Sequence, residues 1–167
     1  ARLKWPNDVV LAGNSDEWHK VCGLLLDMTL SPGGDRLESA IIGIGLNVRT
    51  MDVADASSGF ACLQELDDAI SAPAALHKVA LPLALALMQF EQEGFSAFAD
   101  RFAARDLLLG RLVRTTQADV AEGIAEGVSL QGALRVRTAS GVKTVHSGDV
   151  SVRLNPVPEP TGVQAPC

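Results

Sequence analysis

The sequence changes its pattern at Gly110, and this change restricts the folds open to the chain. Before Gly110 run long apolar segments; after it come four short segments of alternating character, closely spaced and separated by glycines, at 112–115, 120–128, 133–138 and 142–146. Short, closely spaced strands favour a small barrel, closed so that no strand edge is left free. We predict a first domain over 1–109, a barrel over 110–154 and a disordered, proline-rich tail over 155–167.

The first part of the chain reads as strands joined by turns. Residues 7–12, 21–30 and 37–48 have the apolar content of strands, with turn residues between them. We therefore predict an antiparallel meander whose middle strands are covered on both faces.

A helical pattern follows the strands. Ser71 precedes Ala72 and Pro73, which is typical of a helix start, and apolar residues then recur at helical spacing as far as Gly94. Pro82 is predicted to kink or divide this helix. A second helix is predicted to end near Asp106, with one apolar stripe that we assign to the core: Phe95, Phe98 and Phe102.

Charge and composition exclude several functions. The net charge is −6 with no basic block, which argues against nucleic-acid binding by this segment. The longest apolar stretch, near 79–88, contains Pro82 and is too short to span a bilayer, so no membrane partner is expected. Three cysteines without a close pair favour a reducing, cytoplasmic location, and no metal-ligand spacing is present.

Two polar segments lie at the starts of predicted strands. In KWPND at 4–8, the proline fixes the backbone and could aim Asn7 and Asp8 from a strand start, or the pair could simply close a turn. Lys20 leads into the apolar strand KVCGLL. A lysine there is usually a solvated strand end; the alternative is a cation held at a dry pocket, where it meets an anion.

The segment GIGLNV at 43–48 carries a third signal. Gly43 and Gly45 in a buried strand either serve packing or let the backbone approach a ligand. The segment is not a dinucleotide fingerprint, because the third glycine and the following helix are absent. Asn47 lies in an apolar run that predicts burial, and a buried amide needs partners that a ligand phosphate or base could supply.

In this order, the three segments resemble the biotin–protein ligase family. The similarity extends to FEQEGF at 90–95, to Arg105 and Asp106, and to EGIAEG, GAL and SGDVSVR in the second domain, so it covers residues 2 to about 154. The resemblance implies an α/β catalytic domain with a mixed, largely antiparallel sheet flanked by helices, followed by an SH3-like barrel. Residues 1–109 would be the rear half of that catalytic domain.

The resemblance also implies a reaction. Biotin reacts with ATP, with Mg²⁺ as cofactor, to give biotinyl-5′-AMP, and a lysine of a biotin carboxyl carrier domain then takes the biotinyl group. Lys20 is the implied catalytic residue and, with Gly23, contacts biotin. The implied nucleotide-binding residues are Asn7, Asp8, Gly43, Gly45, Asn47 and Arg153, and Asp8 would also help to position Mg²⁺ through the nucleotide.

Three expectations concern the limits of the resemblance. The chain lacks an initiator Met and opens inside a working motif, and the Gly/Arg-rich loop that covers the adenylate in the family is absent, so we expect an incomplete fragment. A relative of the lipoate and octanoyl transferases, or a non-catalytic module that docks carrier domains, are the alternatives. Homodimerisation stays open.

Overall fold

The computed structural model describes residues 1–13, 17–34, 37–51, 59–146 and 152–154. The predicted tail over 155–167 therefore lies outside the described residues. The chain divides into two compact units between Leu107 and Leu108.

The first unit contains a four-stranded antiparallel meander in the order β1-β2-β3-β4. Its strands are β1 Arg2–Lys4, β2 Asp8–Ala12, β3 Trp18–Leu30 and β4 Leu37–Leu46. The meander matches the sequence prediction, and β3 begins three residues earlier than expected.

The core of this unit lies at one end of the sheet, where Leu11, Val21, Cys22 and Ala61 are buried together. At the other end, the expectation of two covered faces is not met. Leu25 is 73% exposed and its neighbour Leu26 is 55% exposed, although adjacent residues of a strand point to opposite faces. Apolar side chains therefore meet solvent on both faces of the distal β3–β4 ladder.

Helix α1 runs over Ala72–Glu93. Ser71 caps it by accepting a hydrogen bond from the Ala74 N–H, and Gly94, with φ of +65°, ends it, as the sequence predicts. Pro82 does not divide the helix. By length and composition alone, the helical stretch Ala72–Ala103 is apolar enough to cross a membrane, and 6% of its most apolar window is buried.

The second predicted helix is a 3₁₀ turn, Gly94–Phe98, followed by the short α2 helix, Ala99–Ala103. Its phenylalanines are partly exposed and line an open cavity of about 470 Å³, so they are not the enclosed core residues that we expected. Arg101 lies over the Phe98 ring, with its guanidinium carbon 5.9 Å from the ring centroid.

The second unit is a five-stranded antiparallel sheet in the order β8-β7-β6-β5-β9. The strands are β5 Leu112–Thr115, β6 Glu122–Val128, β7 Leu134–Thr138, β8 Gly141–Val145 and β9 Val152–Leu154. Alternate residues such as Val113, Leu134, Val136 and Val145 are fully buried and form its core. The predicted α/β class with a small all-β second unit is confirmed.

Candidate functional site

An ion pair between the first two predicted motifs marks the site. Asp8 is the first residue of β2, and one of its carboxylate oxygens, Oδ1, lies 2.6 Å from the Lys20 Nζ. Its other oxygen lies 3.9 Å from the Nζ of Lys4. The Asp8 side chain is 15% exposed and that of Lys20 is 40% exposed, so the carboxylate is shielded while the ammonium can reach a ligand.

Glycines border this ion pair on the same face of the sheet. Asp8, Gly23 and Gly45 are paired across β2, β3 and β4, and paired residues share a face. Gly43 lies two residues before Gly45 on the same face. Gly23, Gly43 and Gly45 form a strip without side chains, called here the glycine strip.

Gly23 has a further steric role. A Cβ at this position would lie 2.7 Å from the Lys20 Nζ, so only glycine leaves the ammonium its present place. A Cβ at Gly45 or Gly43 would make ordinary contacts, at 3.6 and 3.7 Å. The last two glycines are therefore not required for packing, and their effect is to keep the surface flat.

Asn7 lies beside the strip, and its side-chain amide donates to the Leu24 carbonyl at 2.7 Å. The Leu24 N–H in turn donates to the Asn7 carbonyl at 2.9 Å. These bonds fix Asn7 at the strand start.

Asn47 makes its amide contacts with the backbone. Its Nδ2 donates to the carbonyls of Lys20 and Ala61, each at 3.1 Å. At Asn47, β4 ends its pairing with β3, and residues 59–61 continue alongside β3 in its place through a bridge between Lys20 and Phe60. Asn47 therefore closes the fork between the two segments and holds the backbone of Lys20.

Trp5, between Lys4 and Asp8 in the first motif, is 4% exposed and belongs to the core. Cys22 is also buried, and burial raises the pKa of its thiol; the nearby Lys20 ammonium lowers that pKa and the Asp8 carboxylate raises it further. Cys22 and Cys62 are free thiols.

Arg153 lies in the second unit, on β9, where it is exposed and directly opposite Arg114 of β5. The structure therefore brings together Asn7, Asp8, Lys20 and the glycine strip, while Arg153 belongs to a separate unit. Lys4 is a residue that sequence reasoning missed. Its position in the first motif, four residues before Asp8, was the available signal.

A cation beside a flat strip, anchored by a carboxylate, is an arrangement that suits an anionic ligand with a planar part. Comparisons with known proteins show which family this chain resembles. Residues 108–153 match the family model described as "Biotin protein ligase C terminal domain".

Over 155 residues the chain is 31% identical to the bifunctional ligase/repressor BirA of Salmonella typhimurium, covering 91% of this chain and 46% of that protein. It is 30% identical to the biotin–[acetyl-CoA-carboxylase] ligase of Paracoccus denitrificans, covering 89% of this chain and 61% of that protein. The chain thus spans about half the length of the curated relatives it matches.

The crystal structure of biotin protein ligase from Aquifex aeolicus matches with a TM-score of 0.75 at 28% identity, covering 92% of this chain and 65% of that one. The complex of the same enzyme with biotin and ATP matches with a TM-score of 0.73. The resemblance drawn from the motifs is confirmed: in sequence and fold, the chain is similar to the C-terminal part of the biotin protein ligases.

Proposed function

We propose that this chain supplies part of the active site of an ATP-dependent biotin protein ligase. The enzyme would join biotin to ATP as biotinyl-5′-AMP and then pass the biotinyl group to a lysine of a biotin carboxyl carrier domain, in the cytoplasm. The observation that carries this proposal is the Lys20 ammonium at the edge of the glycine strip, held there by Asp8.

The charges suit the first step. A biotin carboxylate and a nucleotide phosphate are both anions, so a fixed cation is needed to offset their repulsion. An ammonium group has three N–H donors, and the Lys20 side chain, which is ion-paired with Asp8 at 2.6 Å and 40% exposed, can offer donors to substrate oxygens. Lys4 and Lys20 against Asp8 also leave one net positive formal charge in this cluster.

The glycine strip has no side chains, so the planar parts of the ligands can lie close to the strand backbone. We assign Gly23, next to the ammonium, to biotin, and Gly43 and Gly45 to the nucleotide. Asn7 keeps the oxygen of its side-chain amide for the nucleotide, since the nitrogen is engaged by Leu24. Asn47 would act mainly by holding Lys20, with its amide oxygen as the group left for a nucleotide contact.

Mg²⁺ fits this site only together with the nucleotide. The described residues contain no group of three acidic, histidine or cysteine side chains that could hold a metal ion. Mg²⁺ is commonly bound by one or two carboxylates plus substrate phosphates, and Asp8 is the carboxylate available here. When bound, the ion would neutralise phosphate charge.

The test is biotin-dependent exchange of pyrophosphate into ATP by the natural protein, followed by transfer of biotin to a carrier domain. Exchange with biotin, and not with lipoate or octanoate, is the expected result. Exchange with lipoate instead would make the protein a lipoate ligase relative. Carrier binding without any exchange would make it a docking module.

A further inference from the structure

We propose that His19 is a positioning residue that holds the segment 59–61 against Lys20 and so sets the place of the Lys20 ammonium. This inference rests on the proposed function. The observation behind it is that the His19 ring is seated between two glycines, Gly13 and Gly59.

The two glycines leave space only for the bare backbone. A Cβ at Gly13 would lie 2.7 Å from Cε1 and 2.9 Å from Nε2 of the His19 ring, and a Cβ at Gly59 would overlap Cδ2 of the same ring. Gly59 also has φ of +65°, which other residues rarely adopt, whereas Gly13 lies outside that range. The ring therefore fills the space between the β2 end and the segment 59–61.

The Gly59 side of this contact leads directly to Lys20. The Lys20 N–H donates to the Gly59 carbonyl at 3.3 Å, and the Ala61 N–H donates to the Lys20 carbonyl at 3.0 Å. On this edge β4 has already left the ladder, because its last pair with β3 is Cys22 with Leu46. Lys20 therefore depends on the segment 59–61 for its backbone partners here.

Two side chains hold that segment. Asn47 ties the Lys20 and Ala61 carbonyls together, and His19 supports Gly59 by contact. The Nε2 of His19 also lies 3.4 Å from Glu17, which limits rotation of the ring. Because His19 and Lys20 are adjacent on β3 and point to opposite faces, the ring can support the backbone without touching substrate.

A double-mutant cycle in the natural protein tests this role. His19→Ala should lower kcat for biotinyl-adenylate formation about tenfold, with KM values for biotin and ATP within about twofold, because a displaced catalytic group slows chemistry more than binding. Gly13→Ala should lower kcat in the same way, since its new Cβ displaces the ring. His19→Phe, which keeps a planar ring, should retain most activity.

The decisive variant is Gly13→Ala combined with His19→Ala. Removing the ring removes the clash, so the double variant should match His19→Ala alone, and the two effects should not add. His77→Ala on the exposed side of α1 is the matched control and should behave as wild type. Wild-type kcat in His19→Ala, or simple addition in the double variant, would overturn the inference.

Amide hydrogen exchange gives a second readout that does not depend on activity. Exchange at the Lys20 and Ala61 amides should be faster in Gly13→Ala than in the wild type. The double variant should exchange at the same rate as His19→Ala alone. Unchanged exchange in Gly13→Ala overturns the positioning role. A wild-type protein without biotin-dependent pyrophosphate exchange would instead refute the proposed function.

Discussion

At the scale of single residues, Lys20 has the clearest chemical task. Its ammonium is held by Asp8 at 2.6 Å and bordered by Gly23, and its side chain is 40% exposed, so Lys20 is neither a freely solvated strand end nor a buried charge. The sequence alone left two interpretations of Lys20 open: a solvated strand end, or a cation held at a dry pocket where it meets an anion. The ion pair with a residue of another motif favours the functional one.

We expect Lys20→Ala to lower adenylate formation in the natural protein by about 10²- to 10³-fold, because an aimed charge is lost where two anions meet. Lys20→Arg should recover only part of the rate, since a planar fork does not replace a point charge. Biotin-dependent pyrophosphate release measures both. Lys78→Ala on α1, an exposed lysine, is the control, and a wild-type rate in Lys20→Ala would return Lys20 to the solvated-strand-end interpretation.

Substitutions of Asn47 distinguish a structural role of this residue from a ligand-binding role. Its amide donates to two backbone carbonyls, so Asn47→Ala leaves both without this partner, and we expect a loss of about 1–3 kcal/mol in the free energy of unfolding. Asn47→Asp should be similarly destabilising, because an acceptor replaces the donor. Denaturant unfolding checks this. A stable Asn47→Ala variant with a raised KM for ATP would show instead that the nucleotide contact dominates.

At the scale of elements, the glycine strip keeps one face of the sheet flat and open to a ligand. Gly23 and Gly45 are neighbours across β3 and β4, yet a side chain would have different consequences at each. At Gly23 it meets the flexible end of Lys20, and at Gly45 it meets nothing closer than 3.6 Å.

Gly23→Ala should therefore fold normally, displace the Lys20 ammonium and lower kcat by about tenfold or more, since small misplacements of reacting groups are costly. Gly45→Ala should leave Lys20 in place and raise KM for the nucleotide by covering the strip. Steady-state kinetics with each substrate varied distinguishes the two. Equal effects on kcat from both variants would contradict this division of roles.

The strands of both units and the caps of α1 were predictable because they depend on local signals: alternation, glycines, and Ser71 before a proline. The fork at Asn47 was not, because the partner segment 59–61 lies a dozen residues away and its pairing is a tertiary choice. For the same reason, the need of Asn47 for partners was predictable but their identity was not. The local pattern likewise did not predict that α1 continues through Pro82.

At the scale of the whole molecule, the second unit is a compact sheet whose family match covers 108–153. Its outer face is charged: Glu126 pairs with Arg137 at 2.6 Å and with Arg135 at 3.4 Å, and Glu122 pairs with Arg114 at 2.9 Å. Arg153 lies directly across from Arg114, whose guanidinium is already paired with Glu122, so the register alone does not call for an anionic ligand.

The family resemblance implies that Arg153 binds the nucleotide, and on that proposal Arg153→Ala should raise KM for ATP more than KM for biotin, because a guanidinium binds phosphate oxygens with two parallel hydrogen bonds. The melting temperature should stay within about two degrees, since exposed substitutions usually change stability by less than about 0.5 kcal/mol. Arg135→Ala on the same face is the matched control: Arg137 keeps the Glu126 carboxylate paired, so both kinetics and melting should be unchanged. Varying each substrate in turn, alongside a thermal melt, gives the comparison. An unchanged KM for ATP with an unchanged melt would contradict the nucleotide-binding role proposed for Arg153, whereas a large loss of melting temperature would make it a structural residue of the second unit.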